Sequence, residues 1–167
     1  MQRIGELLWQ SATIVRGRFL PPSSDLRAPH GLHVASARWD SRSQVRGVVQ
    51  IAHGMGEHIA RYADLIEALV SAGAVTVYGN DHRGHGRTAP SPTQLGDFGA
   101  CGFDLLVEDM IRLSRIAREE NPGQPFILLG HSMGSFAAQQ NNTCWKTAVK
   151  STGSFSRDRA LSTGSRF

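Results

Sequence analysis

The chain has 167 residues, 40% of them hydrophobic and 19% charged, which fits one globular domain with its own core and excludes collagen-like, coiled-coil and wholly disordered chains. No apolar run approaches the roughly 18–20 residues that span a bilayer, and Glu6, Gln10 and Arg16 interrupt the apolar N-terminus, so the expected compartment is the cytoplasm. The net charge of +4 is local: residues 1–140 balance 13 Arg against 13 Asp and Glu, while residues 141–167 hold Lys146, Lys150, Arg157, Arg159 and Arg166 against Asp158 alone, so no nucleic-acid surface is expected on the neutral body.

In chain order, Ile4, Leu7, Leu8, Ile14 and Val15 fall at roughly helical spacing, which predicts a packed helix within an N-terminal extension over residues 1–19. Pro21, Pro22, Ser23 and Ser24 mark a loop. His33 to Trp39 reads as an early strand. Val48 to Ala52 is a short apolar, β-branched run closed by Gly54 and Gly56, the pattern of a buried strand. Arg61 to Ala72 reads as a helix with Tyr62, Leu65, Ile66 and Leu69 on one face and Gly73 as its C-cap. Val75 to Tyr78 is a second buried strand, ending before Asp81. Pro90, Pro92, Gly96 and Gly99 place a long loop. Phe103 to Arg118 is a helix with Leu106, Met110, Leu113 and Ala117 on one face, stopped by Asn121, Pro122 and Gly123. Phe126 to Leu129 is a third strand, and Phe136, Ala137 and Ala138 open another helix. Strands alternating with helices predict right-handed parallel βαβ units.

Gly130-His131-Ser132-Met133-Gly134 stands directly between that strand and that helix. A G-x-S-x-G sequence in this setting makes a sharp turn that strains the serine backbone and lifts its Oγ above the sheet. The glycines permit an approach of strand and helix that a Cβ would block. Ser132 is therefore the candidate nucleophile, with Gly130, His131 and Gly134 shaping its elbow. A second turn, His53-Gly54-Met55-Gly56, follows the strand at 48–52. The free amides of Met55 and of Met133, the latter at a helix N-terminus, are the candidate oxyanion donors. His53 is expected to hold its loop by hydrogen bonds rather than to react.

With these motifs in order, residues 20–140 resemble the N-terminal half of an α/β-hydrolase of the lysophospholipase and monoacylglycerol lipase group, also called the serine aminopeptidase-like hydrolases. The stretches that carry the likeness are His53 to His58 followed by Arg61-Tyr62, then Asn80 to Arg87, then Gly130 to Gly134. The resemblance implies a partial α/β-hydrolase fold, a mostly parallel sheet with flanking helices, truncated after the start of the nucleophile helix. It implies cleavage of a carboxylic ester of monoacyl type through an acyl-enzyme on Ser132, with Met55 and Met133 as oxyanion amides. A small-molecule acyl ester is the implied partner. No metal and no organic cofactor is implied, and the Asp81–Arg87 loop is structural.

A serine of this kind needs a histidine to take its proton and an acid to orient that histidine, and in this fold both follow the serine in the chain. All seven histidines lie at or before His131, and Asp158 is the one acid after Ser132. The composition changes after Gln140, so residues 141–167 are expected to be a basic, Ser/Thr-rich tail that is disordered or foreign to the domain. An inactive chain is expected on these grounds, and a non-catalytic fragment that binds acyl ligands or a partner is the alternative. The tail leaves peripheral membrane contact open. A metal-dependent hydrolase using His53 and His58, or His82 and His85, has too few ligands at metal-site spacing. Cys101 and Cys144 are expected to be free thiols, and the Asn141-Asn142-Thr143 sequon to be fortuitous.

Overall fold

The structure is a computed structural model that describes residues 17–20 and 31–152. Five strands form one sheet: β1 (Arg18–Phe19), β2 (Ser36–Trp39), β3 (Gly47–Ala52), β4 (Val75–Asn80) and β5 (Phe126–Gly130), in the spatial order β1-β2-β4-β3-β5. The strands β4, β3 and β5 are parallel, with Val49 opposite Val77 on one side and Ile127 on the other. The strands β1 and β2 are antiparallel additions at the other edge.

Parallel strands in the middle of such a sheet lose both faces to helices, so they read as continuous apolar runs. Every residue of β3 is buried. Side chains alternate across the pleat. Val49, Ile51 and Val77 face helix α1 (Ala63–Ala72) and pack with Trp39, Ile66 and Val70. Val48, Tyr78 and Ala52 face the opposite layer, made by α2 (Gly102–Glu119) and α3 (Met133–Thr152). Leu106, Met110, Leu113 and Ala117 of α2 are all fully buried, as their spacing predicts.

Several boundaries differ from the sequence expectation, each for a physical reason. The expected helix from Arg61 opens instead as a 3-10 turn over Ile59–Tyr62, and α1 proper begins at Ala63. Its buried face centres on Ile66 and Val70, one turn apart, which leaves Leu65 39% exposed. Gly73 is the C-cap, yet it keeps a right-handed conformation and Ala74 takes the positive φ of 52°. The domain does not begin at residue 20: Arg18 and Phe19 pair with Arg38 and Ala37, so the sheet reaches into the expected extension. The expected N-terminal helix otherwise lies outside the described residues.

Helix α3 runs past Gln140 to Thr152, with no Gly or Pro between Gln140 and Gly153. Charge changes at 141; helical continuity does not. Asn141 is buried and donates from Nδ2 to Ser114 Oγ. Ser114 Oγ in turn donates to Gln50 Oε1, and Gln50 Nε2 donates to the Met110 carbonyl. A buried polar chain thus ties α3, α2 and β3 together.

The strand β5 closes one edge of the sheet. Ile127 and Leu129 are 36% and 38% exposed on it. Among the described residues no helix is long and apolar enough to cross a membrane.

Candidate active site

The site forms where the C-terminal ends of β3 and β5 meet the N-terminus of α3, the end of a parallel sheet at which ligands bind in open α/β folds. His131 N–H donates to the Ala52 carbonyl and carries the β5 ladder one step past its end. The chain then reverses into α3 through Ser132, whose φ is +50°. A left-handed conformation at a non-glycine residue costs on the order of 1–3 kcal/mol and persists only where the surroundings enforce it. Gly130 and Gly134 supply that enforcement. A Cβ at Gly130 would lie 2.5 Å from the Gly134 carbonyl oxygen, and one at Gly134 would overlap the carbonyls of Ala52 and His53. Ser132 is exposed, and no described group hydrogen-bonds its hydroxyl.

The turn at 53–57 lies against this elbow. A side chain at Gly54 would start 3.2 Å from Ser132 Cβ and 3.1 Å from both His131 Nδ1 and Glu57 Oε2. Glycine is the residue that leaves the nucleophile open at this point. Glu57 is the node of the arrangement. Its Oε2 accepts from the Gly54 N–H at 2.9 Å and from the Tyr62 hydroxyl at 2.7 Å, and it lies 3.3 Å from His131 Nδ1. These donors, Tyr62 first and Gly54 next, hold the Glu57 carboxyl down at about 2. The same contact and burial push the Tyr62 phenol up to about 12.

Met55 stands at the crest of the turn with its side chain outward, 66% exposed. Among the described residues nothing accepts from the Met55 or Met133 N–H. Met133 opens α3, where backbone donors lack intrahelical partners and the helix dipole favours negative charge. The two amides named from the sequence are therefore both unoccupied, on the two turns that Gly54 brings together.

Below the turn lies a packed histidine cluster. His53 is fully buried and donates from Nδ1 to the Gly54 carbonyl, while its Nε2 accepts from the His82 N–H. Burial pushes the His53 imidazole below its ordinary value and the His82 imidazole well below it. His53 is thus a loop brace, as expected. Asp81 performs a similar task with its carboxylate, accepting from the Ile59 and Arg87 N–H groups. Arg83 reaches from this loop to Asp109 of α2 in a buried ion pair at 2.8 Å. Among the described residues no group of three or more His, Cys, Asp or Glu side chains is arranged to hold a metal ion. Cys101 is a free, exposed thiol.

Sequence reasoning missed Glu57, Tyr62 and the exposed His131 ring as one unit. The signal was partial, since Glu57 follows the glycine turn directly, yet its partner His131 is far away in sequence. The turns at 53–57 and 130–134 lie against each other, with Gly54 next to Ser132.

Comparison with known proteins agrees with this geometry. Residues 43–151 match the family described as Serine aminopeptidase, S33. A monoacylglycerol lipase of Mycolicibacterium smegmatis is 39% identical over 104 residues, which cover 62% of this chain and 35% of that protein. A monoglyceride lipase of Homo sapiens is 30% identical over 122 residues, covering 70% of this chain and 38% of its own. Among solved structures, a thermostable carboxyl esterase of Bacillus coagulans, in complex with glycerol, superposes with a TM-score of 0.68 at 30% identity, over 78% of this chain and 40% of that one. The chain thus spans about a third of the length of the curated relatives it matches.

Proposed function

The chain belongs to the Serine aminopeptidase, S33, family of α/β-hydrolases, and from that membership we propose that it carries the nucleophile and oxyanion half of a carboxylic-ester hydrolase. The substrate we infer is a small acyl ester of monoacylglycerol or lysophospholipid type. The observation that carries the reading is the strained, exposed Ser132, on an elbow that Gly54 holds against the turn bearing the open Met55 amide.

In this reading Ser132 Oγ gives its proton to solvent water, since no described side chain accepts it, and forms a bond to the ester carbonyl carbon. The carbonyl oxygen becomes an anion that accepts from the Met55 and Met133 N–H groups, each such donor being worth on the order of 10²–10³ in rate. The C–O bond to the alcohol then breaks, the alcohol leaves with a proton, and water later frees the acid from acyl-Ser132. The matching relatives named as monoacylglycerol lipases support the ester class. A cytoplasmic setting and a small-molecule ester as partner complete the proposal.

One observation favours a second reading, a non-catalytic chain that binds acyl ligands. No described side chain bonds the Ser132 hydroxyl, so among the described residues it has no proton acceptor in place. A fluorophosphonate probe separates the two. Labelling that disappears in Ser132→Ala is the expected result, with turnover of a monoacylglycerol on the order of 10⁶ below that of a serine paired with its base. A chain that binds fatty acid yet is labelled equally with and without Ser132 refutes the hydrolase reading.

A further inference from the structure

The oxyanion turn presents three consecutive backbone donors, at Gly54, Met55 and Gly56, and two of them are already occupied by side chains. Gly54 N–H donates to Glu57 Oε2 at 2.9 Å, and Gly56 N–H donates to His85 Nε2 at 3.1 Å. Only the middle donor, Met55, has no partner among the described residues. An unoccupied turn of this shape would offer a ligand three amides in competing directions. Here the outer two are drawn back toward the protein.

The His85 bond dictates a protonation state. His85 is 3% exposed, and its Nδ1 lies 3.0 Å from the Arg83 carbonyl oxygen, an acceptor only. Nδ1 must therefore carry the hydrogen, which leaves Nε2 as the lone pair that Gly56 N–H needs. A ring protonated on both nitrogens has no such lone pair. The ring is fixed from outside by Phe98, which stacks on it with centroids 5.3 Å apart. His53 reaches its inner side at 5.2 Å and is held in the same tautomer, with Nδ1 donating to the Gly54 carbonyl.

We propose that Glu57 and His85 are positioning residues of the oxyanion turn, each occupying one amide beside Met55, so that of the three turn amides the Met55 N–H alone meets the substrate oxygen, and that the Nε2 lone pair of His85 holds the turn in this shape. The proposal rests on the reading of Ser132 as nucleophile and adds the element that keeps its oxyanion donor aimed. The other titratable or charged groups facing this corner are His53 at the end of β3, Asp81, His82 and Arg83 after β4, Glu57 across the turn, and Asp97, whose carboxylate is turned to the Gly99 N–H. Asp81 spends its carboxylate on the Ile59 and Arg87 amides, and Arg83 is paired with Asp109, so neither supplies Gly56 with a replacement acceptor.

The test reads the Gly56 amide by NMR in the full chain, so it is answered whether or not Ser132 reacts. His85→Phe keeps the stack on Phe98 and removes the acceptor. His85→Gln places a non-titrating carbonyl near the Nε2 position. The expected result is hydrogen exchange at Gly56 about tenfold faster in His85→Phe, the change that one net hydrogen bond supports, with recovery in His85→Gln. Fluorophosphonate labelling of Ser132 slows in His85→Phe and recovers in His85→Gln. Unchanged Gly56 protection in His85→Phe overturns the proposal. If His85→Phe fails to fold, His85→Gln decides the matter: Gly56 protection there should match the parent, and a folded His85→Gln that has lost it overturns the proposal.

Discussion

Replacing Asp109 with Asn leaves the Arg83 guanidinium charged, buried and facing an amide. Their side chains are 1% and 6% exposed, and Asp109 Oδ2 accepts from Arg83 Nε at 2.9 Å and lies 2.8 Å from Nη2 in the ion pair. Removing one partner of such a pair costs about 3–5 kcal/mol, because the remaining charge has lost its solvent and its counterion together. Against a domain stability of about 5–15 kcal/mol this is a large fraction. At roughly 2–4 °C per kcal/mol for a domain of this size, Asp109→Asn should lower Tm by roughly 6–20 °C. The pair as a whole is worth far less. Burial raises the Asp109 carboxyl above its ordinary 3.8 even though Arg83 and Arg112 pull it down, so desolvation wins. A raised carboxyl pKa means that the folded state loses stability as pH rises through it. The double variant Arg83→Met, Asp109→Leu should therefore unfold within about 1 kcal/mol of the parent, or later than it. Urea denaturation followed by circular dichroism on the two single variants and the double closes the cycle. An Asp109→Asn cost below about 1 kcal/mol, or a double variant as unstable as the single, refutes the claim that this pair is dry.

Stability should fall as the solution is acidified through pH 6.5, because the unfolded chain takes up protons at His53 and His82 that burial denies the folded one; urea midpoints against pH should show the loss, and His82→Gln should reduce it. A second loss belongs to Glu57: its lowered carboxyl contributes stability that is present above pH 4.5 and disappears toward about 2, and Glu57→Gln should flatten that limb of the same profile. Leu113→Ala empties a fully buried site between α2 and the sheet and should cost about 2–5 kcal/mol in the urea midpoint. Gly134→Ala puts a methyl into the Ala52 and His53 carbonyls and should both destabilise the chain and abolish Ser132 labelling, read by melting and by the fluorophosphonate probe.

The sequence was most informative where a local pattern and a local cause coincide. The runs at 48–52 and 75–78 are apolar because both sheet faces are covered, and the run at 126–129 became a third parallel strand although Ile127 and Leu129 stay partly exposed at the sheet edge. The turn at 130–134 needs its residues for reasons confined to those residues, so it could be located without a fold. The strand β1 has two residues and no periodicity to detect; its existence depends on β2 alongside. Asn141, just past the change in charge, hydrogen-bonds to Ser114 across helices, a contact that charge composition does not reveal. The bonds of Glu57 to His131 and of Gly56 to His85 join distant stretches of chain, and only the assembled sheet ends bring them within reach.

The strand order sets a schedule for biosynthesis. The central strand β3 leaves the ribosome before either of its neighbours, receives β4 soon afterwards, and meets β5 only after α1, the histidine loop and all of α2 have been made. Throughout that interval the nascent chain displays Val48, Val49 and Ile51 on a strand with one side bare, a template for any other extended polypeptide nearby. Shielding by chaperones during translation, rather than the equilibrium strength of the finished sheet, then governs how much of this protein a cell accumulates.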